Sequence, residues 1–267
     1  MQSKEPSDIS IQPLIKDNFE QIYLLYFNKI YNLAFKITGS SDAAADITQE
    51  TFIQVLTNAD KYRGDSQIYT WIYAIAKNNC FKYIKKIRKN SFHSMEELIK
   101  TASFNVEYSQ QEKQQYIVQV KDGCLLGLLR CLSFNQRIAF ILNVLFDVSM
   151  KDVASVISKS ENSTRILICR ARKNIREFLC RNCSLYDNNN SCRCENLISF
   201  SLKQGWIEKY NPNISPNLVE AEIKVFKNEI SLYKTIALRS ESDDLKMKIL
   251  FSIKEQKFNI FSQKKVK

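Results

Sequence analysis

The sequence predicts an all-α protein: two small helical domains joined by a flexible linker, the second a helix-turn-helix domain, followed by a Cys-rich segment and a C-terminal extension. Three observations predict it. Apolar residues recur at steps of three and four over long stretches, which lines them up on one face of a helix. Gly and Pro are scarce, five and four among 267 residues, which works against all-β folds with a turn every ~8–12 residues. The length also suits two small domains, at roughly 100–200 residues each.

After a polar N-terminal tail (1–13), the first domain spans 14–89. Its first helix carries Ile15, Phe19, Ile22, Tyr23, Tyr26, Ile30, Leu33, Ala34 and Ile37 on one stripe. Gly39 stands where a C-cap glycine belongs, and Ser40, Ser41 and Asp42 offer an N-cap for the next helix. That helix turns Ile47, Phe52, Val55, Leu56 and Ala59 inward. A polar loop, Tyr62 to Gln67, leads to a third helix. Its expected inner face is Ile68, Trp71, Ile72, Ile75, Ala76, Cys80, Tyr83, Ile84 and Ile87. The second half of this helix is basic, with Lys77, Lys82, Lys85, Lys86, Arg88 and Lys89.

From 90 to 115 the periodicity fades into Ser, Asn, Gln and Glu, which reads as a linker. A second domain, 116–179, opens on Tyr116, Val120, Cys124, Leu128 and Leu132. A short helix follows around Ile138, Ile141, Leu142 and Leu145. Ser149 and Asp152 are placed as a reciprocal cap for the next helix, with Val148 and Val153 as its hydrophobic staple. The turn Ser158-Lys159-Ser160 precedes a longer helix with Thr164, Ile168, Ala171, Ile175 and Phe178 inward. The Cys-rich segment covers 180–206 and the extension 207–267. In the extension, Ser215-Pro216 starts a helix that buries Val219, Ile223, Phe226, Ile230, Tyr233 and Ala237. Met247, Ile249, Phe251 and Ile253 alternate as in a strand, while Leu245 and Ile249 also suit a helix.

Composition narrows the function. Thirty-nine Lys and Arg against 28 Asp and Glu leave a net charge of +11. A basic excess points to a polyanion, nucleic acid first, with an indifferent basic surface as the alternative. One His argues against the enzyme classes that rest on imidazole chemistry or multi-His metal sites. No apolar run approaches ~18 residues and the N-terminus lacks an apolar core, so neither a membrane span nor a secretory signal is expected. The expected place is the cytoplasm.

A short helix, a tight turn and a longer basic helix form the helix-turn-helix pattern, whose second helix enters the major groove of DNA. With the inner face assigned, Asn162, Ile166, Cys169, Arg170 and Lys173 face outward. Arg and Lys there would neutralise phosphates, and Asn162 near the helix start could read a base edge.

Two stretches carry a family resemblance. Asp46-Ile-Thr-Gln49-Glu50-Thr-Phe52, Tyr62-Arg63-Gly-Asp-Ser66 and Thr70-Trp71-Ile72 through Asn78 resemble the first domain of extracytoplasmic-function sigma factors of the sigma-70 family. Leu132 to Leu179, with Gln136-Arg137 and Arg170-Ala171-Arg172-Lys173, is similar to the promoter-binding domain of that family. The resemblance implies binding to core RNA polymerase through Asp46, Gln49, Glu50 and Phe52. It implies −10 recognition and strand opening through Tyr62, Arg63, Ser66, Gln67, Asn78, Asn79, Lys82, Tyr83 and Lys86. It implies −35 binding through Ser160, Asn162, Ser163, Arg165, Ile166, Arg170 and Lys173, and it leaves room for an anti-sigma partner. No bond is made or broken by such a protein.

The sequence departs from the family pattern at several places. Ala43 and Ala45 stand where acidic residues are frequent, Lys82 stands for a frequent Asp, and Ser133-Phe134 replaces a usual Pro. Ile166 and Leu167 stand where Ser and Arg are usual. Ala43, Ala45, Ile166 and Leu167 keep a rival reading open, a helix-turn-helix regulator that has lost polymerase docking. Cys180, Cys183, Cys192 and Cys194 could hold a structural Zn²⁺ through four thiolates. Redox-sensing or unliganded thiols are the alternatives.

Overall fold

The computed structural model describes residues 14–86, 91–101, 107–212 and 243–263. Among them every named element is helical, apart from an isolated bridge between Cys183 and Cys192. No helix of the described residues is long and apolar enough to cross a membrane. Ile87, Arg88 and Lys89, and the helix expected after Ser215-Pro216, lie outside the described residues. The chain divides into two units.

The first unit gathers residues up to Lys86, Ser149–Ser160, and the chain from Leu238 onward. The expected first helix is two: a single turn α1 (Leu14–Asp17), then α2 (Phe19–Thr38). The predicted stripe is buried except Ile22, which is half-buried. Gly39 ends α2 in the left-handed region at φ 75°, its N–H donating to Phe35 O at 2.7 Å. Ser40 caps α3 (Ser41–Thr57) by accepting from the Ala43 N–H at 3.2 Å. Phe52 sits in an aromatic cluster, its ring 4.8 Å from Tyr23 and 6.4 Å from Phe19.

The third helix, α4 (Ile68–Ile84), buries Thr70, Ile72, Tyr73, Ala76, Asn79 and Cys80. Its inner face is therefore turned from the expected one: Ile68, Trp71 and Ile75 are only half-buried. Polar Thr70 and Asn79 enter the interior because each has a hydrogen-bond partner there. Helix α8 (Met150–Ile157) packs on α4 within this unit. Its cap is half as predicted. Ser149 Oγ accepts from the Asp152 N–H at 3.1 Å, but the Asp152 carboxylate turns to the Ser149, Tyr69 and Thr70 hydroxyls instead. The ambiguous C-terminal stretch is helical, α11 (Asp243–Gln263). The period-two set splits between faces: Ile249 and Ile253 are buried, Met247 and Phe251 exposed.

The second unit combines Ile87–Val148 with Glu161–Ala237. Part of the expected linker is a helix, α5 (Phe92–Thr101). Phe92, Met95 and Leu98 share its half-buried side at steps of three. The Phe92 ring lies 5.9 Å from Phe178. Gly127 leaves room for Met95, whose Cε would be 3.2 Å from an added Cβ. Helix α6 (Gln110–Cys131) starts at a full capping box of Ser109 and Glu112. Helix α7 (Phe134–Phe140) runs on into a π turn, Ile141–Leu145, and packs on α9 (Glu161–Asn182).

The Gln136-Arg137 pair has a local structural task. The Ser133 N–H donates to Gln136 Oε1 at 3.1 Å, a bond that Pro at 133 would delete. Buried Arg137 donates to Arg130 O at 2.6 Å and Leu132 O at 3.3 Å, where α6 ends. Beyond α9, a small core of Tyr116, Val120, Leu197, Ile198 and Ile207 forms under helix α10 (Ile198–Lys203), with Cys192 and Cys194 against it.

Candidate functional site

Three surfaces carry the residues singled out from the sequence. On α3, Asp46 and Glu50 are exposed and Gln49 is half-buried. Glu50 accepts from Gln54 one turn on. Gln49 Nε2 donates to Ser252 Oγ on α11 at 3.1 Å, so its amide is already engaged. Phe52 is fully buried in the aromatic cluster, which corrects its assignment to a docking surface. Ala43 is buried too, so this position does not face a partner.

The loop and α4 make the second surface. Arg63 and Gln67 are exposed, Ser66 is half-buried, and Gly64 takes φ 78° to close the loop. Tyr62, which the resemblance assigns to −10 recognition, is buried. Its hydroxyl donates to Ser66 O and its ring packs 5.2 Å from Trp71. Burial, then the nearby Asp65 carboxylate, pushes its phenol up. Asn79 is likewise corrected to a tie between helices. It donates to Thr51 Oγ1 and accepts from Gln54 Nε2, both at 3.2 Å. Asn78, Lys82, Lys85 and Lys86 stay exposed, and Tyr83 is half-buried. The Lys85 ammonium lies over the Phe81 ring at 4.7 Å.

Helix α8 holds on to this same α4. Asp152 accepts from Tyr69 Oη at 2.7 Å and Thr70 Oγ1 at 3.2 Å. Burial alone would raise its pKa. The hydrogen bonds from Ser149, Tyr69 and Thr70, with Lys151 nearby, hold it below the usual carboxylate range instead. Lys77 Nζ donates to Val156 O at 3.0 Å, a cation where the dipole of α8 ends. Burial lowers the Lys77 pKa.

The third surface is α9. Thr164, Ile168, Ala171, Ile175 and Phe178 are buried, as the periodicity predicts. Asn162, Ser163, Arg165, Ile166, Arg170 and Lys173 are exposed along the helix, as is Ser160 at the turn before it. Lys173 stands 3.7 Å from Glu177 one turn on. Ile166, 45% exposed, is a large apolar side chain among these polar ones.

The thiols are rearranged relative to expectation. Cys180 is exposed, whereas Cys183, Cys192 and Cys194 are half-buried around Cys124, which α6 supplies. Burial, then Cys183, pushes the Cys192 thiol up to about 11. Burial, then the thiols of Cys183 and Cys192, takes Cys194 to about 12. Among the described residues no group of three or more His, Cys, Asp or Glu is arranged to hold a metal. The chain turns at Asn190, whose Nδ2 donates to the carbonyls of Leu179, Cys180 and Cys183 at 3.3, 3.0 and 3.1 Å. Asn190 and Cys124 escape sequence reasoning, since one sits in a run of similar Asn and the other in an apolar pattern.

Comparison with known proteins bears on both units. Residues 22–90 match the family described as Sigma-70 region 2, and residues 122–175 match Sigma-70, region 4. The chain is 26% identical over 162 residues to the RNA polymerase sigma factor YlaC of Bacillus subtilis, covering 61% of this chain and 92% of that one. It is 26% identical over 157 residues to the ECF sigma factor SigM of the same species, 59% and 92% of the two chains. The ECF sigma-E factor of Escherichia coli is 26% identical over 162 residues, 59% and 84%. A solved structure of the sigma factor RpoE with the anti-sigma factor NepR from Bartonella quintana aligns at a TM-score of 0.44 and 20% identity, covering 61% of this chain and 97% of that one.

Proposed function

The chain belongs to the extracytoplasmic-function branch of the sigma-70 family, and on that premise we propose how its residues divide the work. It is a sigma factor rather than an enzyme: it binds core RNA polymerase and recognises promoter DNA to start transcription. In our reading, Asp46, Gln49 and Glu50 on α3 meet the polymerase. Arg63, Ser66 and Gln67 in the loop, with Asn78, Lys82, Tyr83 and Lys86 on α4, act on the −10 element as strands separate. Unpaired bases suit such a surface because a base leaves its stack more easily when a pocket receives it. Ser160, Asn162, Ser163, Arg165, Ile166, Arg170 and Lys173 meet the −35 element. Phe52, Tyr62 and Asn79 serve the packing beneath these surfaces. The work is done in the cytoplasm.

The observation that supports this division best is α9. Its buried face is uniformly small or apolar, and its exposed face carries Arg165, Arg170 and Lys173 beside Asn162. That is a helix seated on its own domain with a phosphate-binding side turned to solvent. The test is transcription in vitro with core polymerase on a promoter library. Selection of related −10 and −35 sequences is the expected result. Absence of any complex with core polymerase at moderate salt would favour the rival reading, a helix-turn-helix regulator without docking.

For the thiols we propose structural zinc on Cys124, Cys183, Cys192 and Cys194, leaving Cys180 out. What supports the reading is that Cys183, Cys192 and Cys194, each half-buried, lie near enough to Cys124 on α6 for their charges to raise its thiol. Bound zinc would favour the thiolates that burial alone disfavours. The thiols must close up on the ion, because their present arrangement is not a cage.

A further inference from the structure

Helix α11 lies on the first unit against α2 and α3. Its seat combines an apolar stripe with three polar ties. Ile249, Leu250 and Ile253 are at most 6% exposed. Near the start of the helix, Tyr23 Oη donates to Lys246 O at 2.6 Å. In the middle, Gln49 Nε2 donates to Ser252 Oγ at 3.1 Å. Further along, Lys254 Nζ pairs with Glu20 at 2.8 Å. Tyr23 is fully buried, and burial raises its phenol against the Leu250 backbone contact that lowers it.

The position of this helix matters because of Gln49. Gln49 belongs to the α3 surface assigned to polymerase docking, and Asp46 and Glu50 lie within one turn of it. A side chain that donates its amide to Ser252 cannot present that amide to another protein. A helix seated over Gln49 and Glu20 also excludes a second protein from the same ground by volume alone. We propose that α11 is an intramolecular competitor for the docking face, and that polymerase binds this chain only when α11 leaves it. The inference rests on the docking role of Asp46, Gln49 and Glu50.

Competition has a measurable form. If the docking face is free in only a small fraction of molecules, the apparent affinity for polymerase is reduced by that fraction. Loosening α11 must then tighten binding with no new contact to polymerase. The ties on the α11 side allow this to be done without touching α3. Ile249→Glu with Ile253→Glu puts two carboxylates into the apolar seat. Lys254→Glu sets two carboxylates against each other at Glu20, and adding Glu20→Lys restores the pair. Met247 and Phe251, on the exposed side of α11, supply controls that leave the seat intact.

The experiment measures affinity of the full chain for core polymerase by fluorescence anisotropy, with circular dichroism confirming retained helix. Ile249→Glu/Ile253→Glu is expected to bind about tenfold tighter or more. Lys254→Glu is expected to bind tighter by a smaller factor, and the swap with Glu20→Lys to return to the parent value. Met247→Gln should match the parent. Unchanged or weaker binding by both loosened proteins, each with its helix content retained, would overturn the competition. Glu50→Lys in the loosened background separates the two readings. Loss of binding there supports docking at α3 whatever α11 does, whereas undiminished binding would overturn the docking assignment and the competition with it.

Discussion

Replacing Arg165 and Arg170 by Ala removes two exposed cations from α9 and leaves its packing intact. Neither residue belongs to the buried set Thr164, Ile168, Ala171 and Ile175, and both are exposed. Ala is also the best helix former, so the helix itself should hold. If each guanidinium neutralises one phosphate, each accounts for about 0.9 in the slope of log affinity against log salt. The double variant should therefore bind promoter DNA with a slope shallower by about 1.8. Lys173 is left out of this figure because its ammonium is shared with Glu177 at 3.7 Å. The assay is anisotropy of a labelled promoter duplex with holoenzyme, between about 50 and about 200 mM salt. Asn162→Ala is the companion, expected to change preference between −35 sequences while leaving the slope alone, since a neutral amide releases no counterion. An unchanged slope in the double variant, with helix content retained, would refute a phosphate-binding role for this face.

Four other outcomes are expected. Lys82→Ala/Lys86→Ala should reduce open-complex formation, read by permanganate footprinting, more than polymerase affinity; equal loss of both would remove these lysines from DNA. Asn190→Ala should cost about 1–2 kcal/mol, because the carbonyls of Leu179, Cys180 and Cys183 lose a shared side-chain donor, and lower Tm by several degrees. Asn189→Ala, which leaves those three carbonyls bonded to Asn190, is the control, and an equal shift in both would refute the assignment. Asp152 titrates below its ordinary value of 3.8, so its stabilising contribution is present above that value and is lost as pH falls through the lower folded one. The stability gap between parent and Asp152→Asn should then shrink from about pH 7 to about pH 3 in urea melts, and a constant gap would contradict it. Native mass spectrometry should find one zinc, kept in Cys180→Ser and lost in Cys124→Ser, while metal-free, freshly reduced protein would favour the redox reading.

On α9 most of the inner face was legible, because a helix with one buried side repeats its inward positions at about 3.6 residues; Leu179, also buried, was not marked, and Thr164 is a small polar residue among the apolar ones. Gly39 was legible because a left-handed C-cap suits few other residues. On α4 the same reasoning placed Trp71 and Ile75 inward, whereas Thr70 and Asn79 took buried places. Their burial depends on Asp152 and Thr51, partners 82 and 28 residues away. Tyr62 shows the same limit, since a loop tyrosine looks available until a neighbouring ring and carbonyl are seen to claim it. The linker hid α5 because its apolar residues are few and are satisfied by α6 and Phe178, not by each other.

Sequence by itself determined that this chain is helical and basic, properties that follow from local periodicity and charge, which a linear reading retains. It also carries, in order, two sets of short motifs that resemble sigma-factor domains, and binding to promoter DNA is what that resemblance implies. Only the tertiary structure decided which of the marked residues are free to act. Phe52, Tyr62 and Asn79 are consumed by packing, Cys124 replaces Cys180 among the clustered thiols, and α11 covers Gln49. The physical reason is distance along the chain: the contact between Gln49 and Ser252 spans 203 residues. No local pattern encodes such a pairing, because the energy that selects it comes from apolar surface brought together only after both helices have formed.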